Sequence, residues 1–298
     1  MIKYFAMEVT IEKQPKATLK MTVKVPSDKV RQMYYHVLEE FAKDAEIAGF
    51  RKGKAPLELV EKNTKEADLN GEVVNHLLQH YYVAAVKENK VSPIGNPKVT
   101  IKKFAKNDDF EFEAVTPTKP EVKLKDYKKV LKELHTEKKA EKKEEFKGLS
   151  VDAVIETLAG QAQLEVSDML IEEEVTRMLA RLLQQAETLG LTIEQYLTAQ
   201  NKSAEDLRLE YQSYALKTLT AEFALAKAIE DENIKVEDSE IEAAINAMPD
   251  AAIKEKLQKG QDRWYIVSVL AKNKLISKLL SELDKDPDQS SKVKEEEK

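Results

Sequence analysis

The sequence predicts an α+β domain at the N-terminal end, followed by an all-α body. Three observations carry this. Apolar and polar residues alternate with period two in four stretches, all before residue 118, which marks strands with one wet face. Helical spacing of apolar residues takes over after about residue 150. Glycine is scarce, at 8 in 298 residues, well below the usual ~7%, and this argues for few tight turns and much helix.

The opening reads as two strands. Phe5, Met7, Val9 and Ile11 alternate with polar neighbours, and after Gln14-Pro15 the pattern resumes at Leu19, Met21, Val23 and Val25. Such a pair is half buried and antiparallel. Pro26-Ser27-Asp28 stops the second strand and caps a helix. Val30, Met33, Tyr34, Val37, Leu38, Phe41 and Ala45 give that helix one apolar face, and it ends near Ala48-Gly49. A basic loop follows over residues 49–56, then a short helix from Leu57 and a longer one over about 66–87. Val73, Val74, Leu77, Tyr81, Ala84 and Ala85 face inward on the latter, and Pro93, Gly95 and Pro97 break that helix. Val99 and Ile101, then Phe110, Phe112 and Ala114, mark two more strands. The order ββα–loop–ααββ is an α+β domain over residues 1–117.

From 118 to 149 lysine and glutamate dominate, with Lys138-Lys139 and Lys142-Lys143 in a run without apolar periodicity. This reads as a partly helical linker extended by self-repulsion. Residues 150–284 read as helices. Ile171, Val175, Met178, Leu179, Leu182 and Ala186 form one stripe, ended by Gly190. Thr192 with Gln195 makes a capping box, and Ser203 caps a long helix. Its expected inward row is Leu207, Tyr211, Tyr214, Thr218, Ala221, Leu225 and Ile229. Asp238 and Ser239 start another helix, Pro249 interrupts it, and a last one runs from about Trp264 to Leu283. Residues 285–298 read as a disordered polar tail. Tyr196, Leu209, Leu216, Phe223 and Trp264 exceed one narrow stripe, so they serve either a second packing face or a surface offered to a partner.

Composition removes several classes of function. There is no cysteine, hence no disulfide, thiolate metal site or cysteine nucleophile. The first eight residues lack an apolar signal core, and no stretch approaches 18 uninterrupted apolar residues, so the expectation is a cytoplasmic protein without a membrane partner. Charge is uneven. Residues 1–117 hold 19 basic against 17 acidic side chains, residues 118–150 hold 11 against 7, and residues 151–298 hold 18 against 30. The front can approach an anionic surface while the acidic back is repelled from it. His76 and His80 stand at i, i+4, the spacing of zinc ligands, but Leu77-Leu78-Gln79 lies between them and no third ligand is evident. The pair reads as rim histidines. No catalytic constellation, metal site or cofactor motif emerges, and the expectation is not an enzyme.

The loop Gly49-Phe50-Arg51-Lys52-Gly53-Lys54-Ala55-Pro56 is the most informative stretch. Three cations fall within four positions beside one aromatic ring and between two glycines. Cations at a loop tip pair with phosphates or carboxylates, and the ring supplies an apolar anchor. A phosphate-cradling nucleotide loop is rejected. Only three residues separate Gly49 from Gly53-Lys54, and Ala55 stands where a Mg²⁺-binding hydroxyl is needed.

This loop closely resembles the ribosome-docking signature of bacterial trigger factors. The flanking ββα and ααββ order resembles that family's N-terminal domain, and Pro120–Tyr127 is similar to the exit from it. Leu164–Glu172 resembles the start of the family's C-terminal helical domain, with Ser167 where proline is usual, and the likeness continues through Leu191–Ile245. The resemblance implies an ATP-independent chaperone that binds nascent and unfolded polypeptides at the ribosomal tunnel exit. Phe50, Arg51 and Lys52 would touch rRNA phosphates and an acidic patch of a large-subunit protein. Lys54 would support them, and Gly49, Gly53 and Pro56 would shape the loop. Homodimer formation is left open. The family usually carries an FKBP-like prolyl isomerase domain of roughly a hundred residues between these parts, for which the Lys/Glu stretch is far too short. Isomerase activity is therefore expected to be absent, and with it the reading as a soluble prolyl isomerase. The alternative is a ribosome- or RNA-binding structural factor that uses the same loop without holding clients.

Overall fold

A computed structural model describes residues 7–142, 146–258 and 262–284. Phe5 of the first expected strand and the expected tail at 285–298 lie outside the described residues. The chain divides into two compact units, the first comprising Met1–Lys119 with Ser167–Leu170 and the second the remainder.

The first unit is built in the order β1 (Glu8–Gln14), β2 (Thr18–Val25), α1 (Ser27–Asp44), α2 (Leu57–Asn63), α3 (Glu66–Glu88), β3 (Lys98–Lys103) and β4 (Phe110–Pro117). Its sheet is antiparallel with strand order β1-β2-β4-β3. Register places Val23 opposite Phe112 and Met21 opposite Ala114. Their alternation buries Met21, Val23, Val25, Phe110, Phe112 and Ala114 completely against α1 and α3. The other face is a ladder of ions in water, with Lys20 paired to Glu12 and Glu113, and Lys102 to Glu113. The outer strands differ from the expected half-burial. Ile11, Val99 and Ile101 point to the core side yet stay exposed, because edge strands have one neighbour and the helices cover the middle of the sheet.

α1 starts at Ser27, after Pro26 rather than with a Ser27 or Asp28 side-chain cap. Its first amide is satisfied from afar, as Ser27 N donates to Asp109 Oδ1 at 3.0 Å. The hairpin turn before β4 thus caps a helix 82 residues earlier in the chain.

The second unit contains α4 (Tyr127–Lys142), α5 (Val151–Gln161), α6 (Asp168–Thr188) from Ile171 onward, α7 (Ile193–Ala199), α8 (Ala204–Asp231), α9 (Asp238–Asn246), α10 (Ala251–Gln258) and α11 (Arg263–Asp284). One small ribbon, β5 (Lys123–Leu124) with β6 (Ala162–Gln163), interrupts the helices. The Lys/Glu stretch is not an extended linker. Tyr127 and Leu131 of α4 are buried with Leu149, Val154, Leu158, Leu225, Leu275 and Leu279 in one core, and Leu134 packs against it. Tyr127, Leu131 and Leu134 repeat at i, i+4, i+7, a stripe thin enough to vanish among lysines but sufficient to seat one helix face.

The expected Thr192–Gln195 capping box forms, and the expected Ser203 cap goes further, forming a second box with Asp206. The next helix starts at Asp238 as expected, preceded by Glu237, whose N donates to Glu240 Oε2 at 2.8 Å. A separate cluster of Ile241, Ile245, Leu257 and Ile266 closes the far end of the chain. The expected inward row of α8 is corrected at its centre. Leu207, Ala215, Ala224, Leu225 and Ala228 are buried, whereas Tyr214 is 48% exposed and Thr218 faces solvent. Between these buried positions of α8, Tyr211 and Leu219 are partly buried.

Candidate functional site

The segment 45–56 leaves α1 in extended conformation at Ala45 and re-enters helix at α2, whose N-cap is Pro56. Three main-chain hydrogen bonds fold it. Phe50 N donates to Ile47 O at 3.0 Å, Gly53 N to Ala45 O at 3.3 Å, and Lys54 N to Arg51 O at 2.9 Å. Gly49 and Gly53 hold φ of 86° and 75°, a region that costs side-chain-bearing residues about 1–2 kcal/mol. Gly53 is doubly constrained, because a Cβ there would lie 2.8 Å from the Lys43 carbonyl oxygen. The base of the loop is fastened from below, since Ile47, Ala55 and Leu57 pack against the first core.

This frame pushes the tip outward. Phe50 is 43% exposed, an unusual position for a phenylalanine, and Arg51, Lys52 and Lys54 are exposed beside it. All seven residues singled out in the sequence (Gly49, Phe50, Arg51, Lys52, Gly53, Lys54 and Pro56) therefore belong to one pinned loop. Lys52 Nζ lies 3.1 Å from Asp44 Oδ1, an exposed pair worth little in water. Asp44 had no part in the motif reading. It sits in the last turn of α1, and its approach to Lys52 follows from the fold of the loop. The arrangement offers cations and a ring to a surface and contains no nucleophile, acid or base poised for chemistry.

The histidines regroup. His76 does not act with His80 but approaches Glu72 at 3.3 Å and Glu40 at 3.7 Å, and His36 approaches Glu40 at 3.6 Å. His80 turns toward the Tyr81 ring, and burial lowers its pKa. Among the described residues no group of three or more His, Asp or Glu side chains is arranged to hold a metal ion. No helix among them is long and apolar enough to cross a membrane.

In the second unit the expected apolar surplus divides. Tyr196 and Phe223 are partly buried, whereas Leu209 (58%), Leu216 (44%) and Trp264 (71%) stand in solvent. An apolar groove of about 440 Å³ is walled by Leu179, Leu183, Ile193, Leu197 and Leu207, with Arg208 and Glu205 at its rim.

Comparison with known families gives two matches. The family described as bacterial trigger factor protein matches residues 7–158, and the one described as bacterial trigger factor protein C-terminus matches residues 123–281. The chain belongs to the trigger factor family. The matched stretches overlap, so nothing separates them that could house a prolyl isomerase domain, and the chain lacks that part of the trigger factor plan. The trigger factor of Citrifermentans bemidjiense is 35% identical over 121 residues, covering 41% of this chain and 28% of that protein. That of Bdellovibrio bacteriovorus is 34% identical over 161 residues, covering 54% of this chain and 35% of that protein. The chain thus spans about a third of the length of the curated relatives it matches. A solved structure concerned with promiscuous substrate recognition in folding and assembly activities of the trigger factor chaperone shares the fold. It has a TM-score of 0.67 at 14% identity and covers 93% of this chain and 100% of that one.

Proposed function

We propose that the chain is an ATP-independent, ribosome-associated chaperone that binds nascent and unfolded polypeptides at the tunnel exit and has no prolyl isomerase activity. The observation that carries this reading is the pinned loop, which holds an exposed ring and three cations where a carboxylate- and phosphate-bearing surface can meet them. Phe50, Arg51 and Lys52 make the contact with ribosomal protein and rRNA. Lys54 adds charge, and Gly49, Gly53 and Pro56 set the shape. Three phosphate-type contacts give a log–log salt slope near −0.9 each, about −2.7 in all.

Exposed Leu209, Leu216 and Trp264, with the apolar groove beside α7, favour client holding over a purely structural ribosome factor. Without nucleotide hydrolysis to drive release, client binding is weak and fast, near micromolar or about −8 kcal/mol. The cytosol is the compartment where these partners meet. Co-sedimentation with ribosomes after changing Phe50, Arg51 and Lys52 together to Ala tests the docking role. Loss of pelleting with an unchanged melting curve is expected, and retained pelleting removes the loop from the account. Suppression of aggregation of a denatured model protein tests the holding role, and its absence leaves the structural-factor reading.

A further inference from the structure

We infer that Lys106 is a positioning residue for the docking loop, tying the turn between β3 and β4 to α1 and α2 so that the loop's C-terminal stem is fixed. The inference rests on the docking reading of residues 49–56 and names what holds that site in place.

The stem is α2, which begins directly after Pro56 and has seven residues with one buried side chain, Val60. So short a helix has little of its own to resist pivoting. Leu57 adds a partly buried contact to the same core, and the polar anchor of the helix is Glu61. The Tyr34 hydroxyl of α1 donates to Glu61 Oε1 at 2.8 Å, and the Lys106 ammonium pairs with the same oxygen. Lys106 Nζ also lies 4.3 Å from the centre of the Tyr34 ring and 5.4 Å from that of Tyr35, within reach of a cation–π contact to each. Lys106 and Glu61 are each about one-third exposed, so water screens the pair only in part. The Lys106 ammonium, then the Tyr34 hydroxyl, hold the Glu61 carboxyl below its ordinary pKa.

The turn that sends out Lys106 is itself fixed. Phe104 packs on the core and against the Phe110 ring, and Asp109 caps α1 and pairs with Lys24 at 3.3 Å. Lys106 thus reaches from a rigid base to a lightly held helix. Its ammonium is engaged by Glu61 and the two tyrosine rings.

The test compares the full chain with Lys106→Met and, as an isosteric break of the same pair, Glu61→Gln. In the free protein, hydrogen exchange is read at the Gly53, Lys54 and Thr64 amides, whose acceptors are Ala45, Arg51 and Val60. Both variants are expected to exchange about tenfold faster there, with β2 and β4 amides unchanged. Ribosome affinity should fall roughly three- to tenfold with the salt slope unaltered, because no phosphate contact is lost. Lys106→Arg should restore both. Unchanged exchange at the loop, or uniform acceleration that includes the sheet, overturns the positioning role. So does a slope shallower by about one, which would make Lys106 a direct phosphate contact. The Phe50, Arg51 and Lys52 triple variant run alongside separates the two ideas. If it pellets normally while Lys106→Met still opens the loop, the docking reading fails and the mechanical tie stands. If it is lost from ribosomes while Lys106→Met leaves loop exchange unchanged, the tie fails alone.

Discussion

The loop at 45–56 and the helix α8 expose side chains in opposite ways. The loop spends two glycines, a proline and three main-chain hydrogen bonds on holding a few side chains in one place. α8 runs 28 residues and leaves Leu209, Tyr214 and Leu216 exposed in its N-terminal half. A single address needs a fixed shape, since each contact counts only if the others are made together. Holding many unrelated chains needs the reverse, spread apolar surface that no one residue dominates. The two regions should therefore respond differently to substitution.

The largest expected effect is at the tip. Replacing Phe50, Arg51 and Lys52 by Ala should weaken ribosome binding by at least about a hundredfold at low salt, since anchors of this kind concentrate binding energy. The log–log salt slope, read by titrating pelleting with KCl, should become shallower by about 1.8 through the two lost cations. A loss of affinity at unchanged slope would leave Phe50 as the sole contact.

Next comes a core break in the second unit. Leu275 is fully buried in the cluster that seats α4, and Leu275→Ala should cost roughly 2–5 kcal/mol in a urea melt. Ribosome pelleting at a temperature where the variant remains folded should not change. If pelleting falls in step with stability, address and body are not separate.

Acid should weaken the second unit through Glu232. Burial raises the carboxyl pKa, but hydrogen bonds from Lys128, Lys278 and Tyr127 outweigh it and bring it to about 2. The unfolded value is near 4.5, so this stabilisation is complete above 4.5 and lost as pH falls from there toward 2. Allowing for screening of the half-exposed lysines, it amounts to about 2–3 kcal/mol. Glu232→Gln should remove that portion of the acid limb of a stability–pH curve and leave loop exchange untouched. An unaltered acid limb would show that the three donors do not bind the carboxylate in solution.

A smaller contrast lies within the loop. Gly53→Ala faces both a positive φ and the Lys43 carbonyl, whereas Gly49→Ala faces the positive φ alone, with open space around it. Gly53→Ala should cost about 2–3 kcal/mol and Gly49→Ala about 1 kcal/mol in the same urea melt. Ribosome affinity should follow that order. Equal costs would mean that α1 yields where the loop crosses its last turn.

The loop was legible in the sequence because its requirements are local. Glycines at turns, cations in a cluster and a ring beside them need no distant partner to be seen. The strands before residue 118 were legible for the same reason, though not the exposure of Ile11, Val99 and Ile101, which depends on where the helices lie. α4 was hidden because its stripe, Tyr127, Leu131 and Leu134, is sparse beside the surrounding lysines and glutamates. The Asp109 cap on α1 and the Tyr34–Glu61–Lys106 network carry no signal in sequence. Each joins residues brought together only by folding, 82 apart for the cap and 45 apart for the ion pair. The grouping of His36, Glu40, Glu72 and His76 across two helices has the same origin.

The most direct test of this division of labour puts the triple Ala tip variant, free of ribosomes, into an aggregation assay with a denatured protein. Suppression at the wild-type level, in a variant that no longer pellets with ribosomes, is the predicted result. Suppression that disappears together with pelleting would contradict it, because the tip would then be holding clients as well as the ribosome.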